Sequence, residues 1–283
     1  MSAKIGLVLE GGGFRGLYSA GVVDCFLKNN IDVPYVIGVS MGACNGVNYI
    51  SKQPGRNLST PYTYVNDKRY ISLQRLFTKG ELFGMDFIFK EIPDKLIPFD
   101  YDTFYSSDKE FVVVTTDCIT GKPFYISDFK HHTVNKALQA STSLPFASKI
   151  VDFQGKKLLD GGICNPVPIT KAFDDGCDKL IVVLTQPQGF IKPQTHFNTI
   201  GKLFYKNYPD LLAVLNNRHQ VYNNQLRLIS ELEKEGKAFV FRPKSSIPVG
   251  RTERNKNKLK EAYNMGFMHS EELLPDLKEW MSR

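Results

Sequence analysis

Apolar residues gather in short runs, Ile5–Leu9, Tyr35–Val39, Phe111–Thr115, Lys122–Ile126 and Leu180–Thr185, separated by stretches in which apolar positions recur at helical spacing. Runs of this length bounded by turn residues read as buried strands, and their alternation with helical patterns predicts an α/β fold. Helices are expected from near Leu17, over Ala43–Ile50 and over Thr133–Ala140. In the C-terminal third, Leu211, Leu215, Tyr222, Leu226 and Ile229 share one helical stripe, Ala238–Phe241 predicts a last strand, and Thr252–Tyr263 predicts a further helix. No internal repeat or low-complexity segment interrupts this pattern.

Two glycine-framed turns stand directly after predicted strands. In Gly38-Val39-Ser40-Met41-Gly42, a strand ends and a helix begins at the serine. Glycines two residues either side permit a sharp turn and close strand–helix approach, which leaves the hydroxyl at the strand tip as a nucleophile elbow would. In Gly11-Gly12-Gly13-Phe14-Arg15-Gly16, consecutive glycines can aim backbone N–H groups at one point beside a helix N-terminus. Gly11, Gly12 and Gly13, with the amide of Met41, are the expected donors of an oxyanion hole. Arg15 is open to two readings, an anion-binding side chain or a partner of a local acid.

The spacing Gly11-x-Gly13-x-x-Gly16 also fits a dinucleotide-binding fingerprint, but that fingerprint wants an acid at the end of the second strand, where this chain has Ser40. No Lys-Ser or Lys-Thr follows at P-loop spacing. For a base, His131, His132, His196, His219 and His269 offer no persuasive setting. Asp160, ending an apolar run before Gly161 and Gly162, is the better candidate, since a carboxylate within hydrogen-bond reach of Ser40 takes its proton without a histidine. A Ser–Asp–His esterase using His196, His219 or His269 is the competing arrangement, and a catalytically silent lipid- or partner-binding protein the competing class.

Gly-Gly-Gly-Phe-Arg-Gly, Gly-Val-Ser-Met-Gly, Ala140-Ser141-Thr142-Ser143-Leu144-Pro145 and Asp160-Gly161-Gly162 occur in this order between about Ile5 and Thr170. Together they resemble the four blocks of the patatin-like phospholipases. The resemblance implies a three-layer α/β/α core with a mainly parallel sheet, a Ser40–Asp160 dyad, the glycine-rich block as oxyanion hole, and hydrolysis of lipid acyl esters; such a mechanism needs no metal, and no cofactor is expected. Gly162 stands where many relatives carry alanine. Ser141 to Ser143 read as structural, ending a helix before Pro145. The expected division is a catalytic domain over 1–186 and a basic, mostly helical extension over 187–283 packed on it. Val249-Gly250-Arg251-Thr252-Glu253-Arg254, followed by a helix with Tyr263 and Gly266, resembles the C-terminal extension of some bacterial patatin-like proteins.

An acyl hydrolase needs an apolar slot near its nucleophile, and Tyr70 to Phe104, aromatic- and aliphatic-rich and punctuated by Gly80, Gly84, Pro93 and Pro98, reads either as that wall or as helices packed on the sheet. At 283 residues, 42% hydrophobic and 23% charged, the chain is globular rather than disordered. Five cysteines without metal-ligand spacing read as reduced thiols of a cytoplasmic protein, and no secretory signal is visible. Between residues 191 and 283 there are 16 basic against 10 acidic side chains, densest from Arg242 to Lys260. That run suggests peripheral contact with anionic membrane, each base near the surface being worth about 1 kcal/mol; nucleic acid is not expected.

Overall fold

The computed structural model describes residues 3–130, 133–250 and 252–283, so the expectations for His131, His132 and Arg251 lie outside the described residues. An eight-stranded sheet runs in the order β5-β6-β3-β2-β1-β7-β8, with β4 also paired to β3. Its strands are β1 (Ile5–Leu9), β2 (Tyr35–Val39), β3 (Glu110–Asp117), β4 (Pro123–Ile126), β5 (Val151–Phe153), β6 (Lys156–Asp160), β7 (Lys179–Val183) and β8 (Ala238–Phe241). β3, β2, β1, β7 and β8 run parallel to one another, whereas β4 and β6 pair antiparallel with β3, and β5 pairs antiparallel with β6. This is the expected α/β core with a mainly parallel sheet.

Burial on both faces explains why the central strands are continuous apolar runs. Leu7, Leu9 and Val36 pack on one side; Val8, Ile37, Val39, Val112 and Val114 pack on the other. The first side is covered by α1 (Gly16–Lys28), α2 (Met41–Ile50) and α10 (Lys256–Ser282), the second by α7 (Ile169–Asp174) and α9 (Pro209–Lys234). The other α-helices among the described residues are α3 (Arg56–Tyr64), α4 (Leu73–Lys79), α5 (Tyr101–Tyr105), α6 (Val134–Thr142) and α8 (Asn198–Phe204). β1 is the switch point, with β2 on one side and β7 on the other, and in open α/β sheets ligands bind beyond the strand ends at such a point.

The pattern reading missed the β5–β6 hairpin. Its strands are three and five residues long, and they meet at Gln154 and Gly155, both at positive φ (49° and 75°), as a two-residue hairpin turn requires. The last predicted helix starts later and runs further than the pattern indicates, from Lys256 through Pro275 to Ser282. It packs on α1 almost backbone to backbone. A Cβ at Gly266 would stand 1.9 Å from the Tyr18 carbonyl oxygen, and one at Gly21 would stand 2.1 Å from that of Tyr263. The Tyr263 hydroxyl donates to Asp24 on α1 (2.7 Å), and burial pushes the Asp24 carboxyl up to about 6.

Candidate active site

Ser40 sits between the end of β2 and the first residue of α2, with φ 55° and ψ −125°. Positive φ is uncommon for a residue with a Cβ and costs about 1–3 kcal/mol, so the surroundings must impose it. They do so at both framing glycines. A Cβ at Gly38 would meet the Ala43 backbone at 2.6 Å, and one at Gly42 would meet the Leu9 carbonyl at 2.4 Å. The Ser40 amide donates to the Ser141 hydroxyl (2.8 Å), which in turn donates to the Val114 carbonyl (2.7 Å). Ser141, expected to be structural, thus pins the elbow to β3.

The glycine-rich turn after β1 lies directly against this elbow. A Cβ at Gly11 would be 3.2 Å from Ser40 Cβ, and one at Gly16 only 2.6 Å from Met41 Cγ. Gly13 adopts φ 56°. Among the described residues, no hydrogen bond engages the amides of Gly12, Gly13 or Met41. Unpaired N–H groups clustered at a helix start beside a serine are suited to an incoming oxyanion.

Asp160 arrives from the other side of β3. Val39 pairs with Val114 on one edge of that strand and Asp160 pairs with Thr115 on the other. Two inter-strand spacings, about 10 Å, therefore separate the backbones of Ser40 and Asp160 at the same end of the sheet. Asp160 is buried, its Oδ1 accepts the Gly162 amide (2.7 Å), and its own amide donates to the Ser143 carbonyl (2.9 Å). Gly161 has no room for a Cβ, which would stand 2.2 Å from the Val114 carbonyl oxygen. The nearby thiols of Cys44 and Cys164 are each pushed up to about 12 by burial, so both stay neutral.

Three side chains absent from the sequence reading of the site border it. Arg218 on α9 donates through Nε to the Gly162 carbonyl. Tyr222, one turn further along, donates to Glu10 (2.8 Å), the residue just before the glycines. Glu10 also accepts the Thr185 amide, and burial pushes its carboxyl above the usual range against the opposing charge of Arg15. Arg15 is near enough to this acid to act on its charge, and among the described residues its buried Nε has no partner. The signal that identifies Arg218 is a basic residue inside the apolar stripe of α9. Of the histidines, His269 is bonded to the Tyr18 hydroxyl (2.6 Å), His219 Nδ1 meets the Asn216 carbonyl (3.1 Å), and His196 is exposed.

A cavity of about 80 Å³ opens beside the elbow between Met41 and Cys44 on α2 and Tyr70, Phe89, Ile92 and Phe99. The Tyr70–Phe104 stretch supplies that wall, and other residues of it, Phe87 and Phe104, are buried in the core. A larger groove, about 1250 Å³, lies at the opposite end of the sheet around Phe104, Glu110, Tyr125 and Asp175 and is lined by none of Ser40, Asp160, Gly12, Gly13 or Met41. Along the basic run, Arg242, Lys244 and Lys258 pair with Glu233, Glu272 and Glu253. Among the described residues, no helix is long and apolar enough to cross a membrane.

Residues 7–173 match the family described as Patatin-like phospholipase. This chain belongs to the patatin-like phospholipase family. The C-terminal part of this patatin-like chain, residues 208–282, matches a separate family described as a domain of unknown function, DUF6363. YjjU of Escherichia coli K12, an uncharacterized protein, is 30% identical over 199 residues, covering 68% of this chain and 55% of YjjU. Lysophospholipase NTE1 of Candida albicans is 22% identical over 304 residues, covering 97% of this chain and 20% of its own length. Lysophospholipase nte1 of Aspergillus terreus is 26% identical over 191 residues, covering 64% of this chain and 12% of its own. The chain spans about half the length or less of these curated relatives. Among solved structures, VipD from Legionella pneumophila aligns with TM-score 0.47 at 11% identity, over 98% of this chain and 67% of VipD.

Proposed function

We propose that this chain is a serine lipid acyl hydrolase in which Ser40 is the nucleophile, Asp160 the base, and the amides of Gly12, Gly13 and Met41 the oxyanion hole. The observation that carries the reading is the strained Ser40 at the β2 tip, set between unpaired amides and a buried carboxylate on the adjoining side of β3. The family, and the lysophospholipase names of two fungal relatives, point to a fatty-acyl ester as substrate.

Asp160 takes the Ser40 hydroxyl proton as Oγ bonds to the ester carbonyl carbon, and the amides hold the resulting oxyanion. Collapse breaks the ester C–O bond, the alcohol leaves with the proton from Asp160, and an acyl-Ser40 remains. Water then attacks the acyl group, giving its proton to Asp160, which returns it to Ser40 as the fatty acid departs. The slot lined by Tyr70, Phe89 and Phe99 is the proposed start of the acyl-chain site, and 187–283 is proposed as an extension that braces the catalytic part over 1–186.

The test is covalent labelling with a fluorophosphonate, mapped by peptide mass, alongside turnover of lysophosphatidylcholine. Wild type should label on Ser40 alone, and Asp160→Asn should lose labelling and turnover by at least about 100-fold while keeping its melting temperature. Folded wild type that neither labels nor turns over would favour a lipid-binding protein without catalysis. Full turnover in Asp160→Asn would remove the dyad.

A further inference from the structure

α9 lies across the second sheet face with one stripe at alternating spacings of four and three residues: Leu211, Leu215, Arg218, Tyr222, Gln225, Ile229 and Leu232. The ends of the stripe are buried leucines and an isoleucine, as a packing helix requires. Its middle three positions are polar, and each is bonded to a segment at the strand tips. Arg218 holds the Gly162 carbonyl, Tyr222 holds Glu10, and Gln225 accepts the Val167 amide (3.1 Å) while donating to Asn165 (2.6 Å). Arg218 is only half-buried, yet its guanidinium is directed onto a backbone carbonyl at the strand tips, a contact that packing alone does not require.

The guanidinium is also close to the carboxylate. Asp160 Oδ1 and Arg218 Nη2 lie 3.0 and 3.3 Å from one and the same point, the place a Cβ on Gly162 would occupy. We propose that Arg218 is a positioning residue for acyl transfer, supplied by the region of unknown function: it fixes the Asp160–Gly162 turn and presents its charge to Asp160, while Tyr222 fastens the same helix behind the glycine loop. The inference rests on the Ser40–Asp160 reading above. The groups set against Asp160 include the neutral thiols of Cys44 from α2 and Cys164 from its own turn, and the cationic Arg218 from α9. A cation there favours the ionised carboxylate that a base must be, so removing it moves protonation of Asp160 to higher pH.

The experiment compares full-length wild type, Arg218→Met and Arg218→Lys by fluorophosphonate labelling and by pH profiles of p-nitrophenyl butyrate hydrolysis, with thermal melts for folding. Arg218→Met should lower kcat on the order of 10- to 100-fold, as misplacement of a reacting group does. Its KM should stay within about twofold and the acid limb of kcat/KM should move to higher pH. Arg218→Lys keeps the charge without the guanidinium fork, so its acid limb should stay near wild type with kcat only partly recovered. A labelled, active wild type with wild-type kcat and acid limb in Arg218→Met overturns the inference alone. If Arg218→Met does not fold, wild-type kcat in Arg218→Lys overturns it. Folded wild type that neither labels nor turns over removes the hydrolase reading and this inference with it.

Discussion

α9 and α10 are nearly equal in length, 26 and 27 residues, and both lie in the region that matches a domain of unknown function, yet they meet the rest of the molecule in opposite ways. α10 approaches α1 through missing side chains, with Gly266 against the Tyr18 carbonyl and Gly21 against that of Tyr263. α9 approaches the strand tips through long polar side chains, Arg218, Tyr222 and Gln225. A contact made of backbone fixes where a helix lies. One made of directed hydrogen bonds sets the orientation of the groups it holds. Stability and turnover therefore divide between the two helices: changes on α10 should act on the first and changes on α9 on the second.

The largest effect is expected from Gly266→Leu. No rotamer moves a Cβ away from a carbonyl oxygen 1.9 Å distant, so the two helices must part, at a cost of about 4 kcal/mol or more in urea denaturation. Whatever fraction still folds should label on Ser40 at the wild-type rate. Normal stability with impaired labelling would break the division between the helices.

A smaller effect at the same interface depends on pH. Asp24, bonded to Tyr263 and to the Gly55 amide, titrates at about 6 rather than 3.8 because burial disfavours its charged form. Between those values the native state keeps a proton that the unfolded chain has released, so stability falls as pH rises through the window, by about 3 kcal/mol for this group. Below 3.8 the contribution is intact; above 6 it is gone. Stability of wild type relative to Asp24→Asn should decline by that amount from pH 3.8 to 6.5. Parallel curves for the two proteins would remove Asp24 as the titrating group.

The sequence carries these two contacts unequally. The turn at Ser40 and the glycine loop were readable because their signal is local: glycines within two residues of a serine, each directly after an apolar run. The central strands were readable because burial on both faces makes them uniformly apolar. The β5–β6 hairpin was not, since three residues with an exposed Asp152 in the middle carry too little period. Tyr263 and Gly266 stood out as residues of a recognisable extension, though their task, close packing on α1, needed the partner helix. Arg218 was silent because its partner lies 56 residues earlier in the chain and half of its meaning is the carbonyl it holds. An apolar stripe interrupted by Arg, Tyr and Gln at positions where leucine would serve packing is the pattern that marks such a helix.

Tyr222→Phe is the finest probe of the comparison. It removes one hydroxyl from a buried residue without changing its ring packing against Phe190, and leaves Glu10 still accepting from the Thr185 amide. The loss of stability should be about 1 kcal/mol, the ordinary value for one hydrogen bond whose partner keeps another. If α9 only covers the sheet, kcat should follow that small change and stay near wild type. If the helix holds the glycine loop in register with the elbow, kcat should fall several-fold at constant KM, because the shifted amides act on the oxyanion and not on the bound ester. A KM effect at unchanged kcat would instead assign Tyr222 to substrate binding, and the distinction between the two helices would then lie in what they bind.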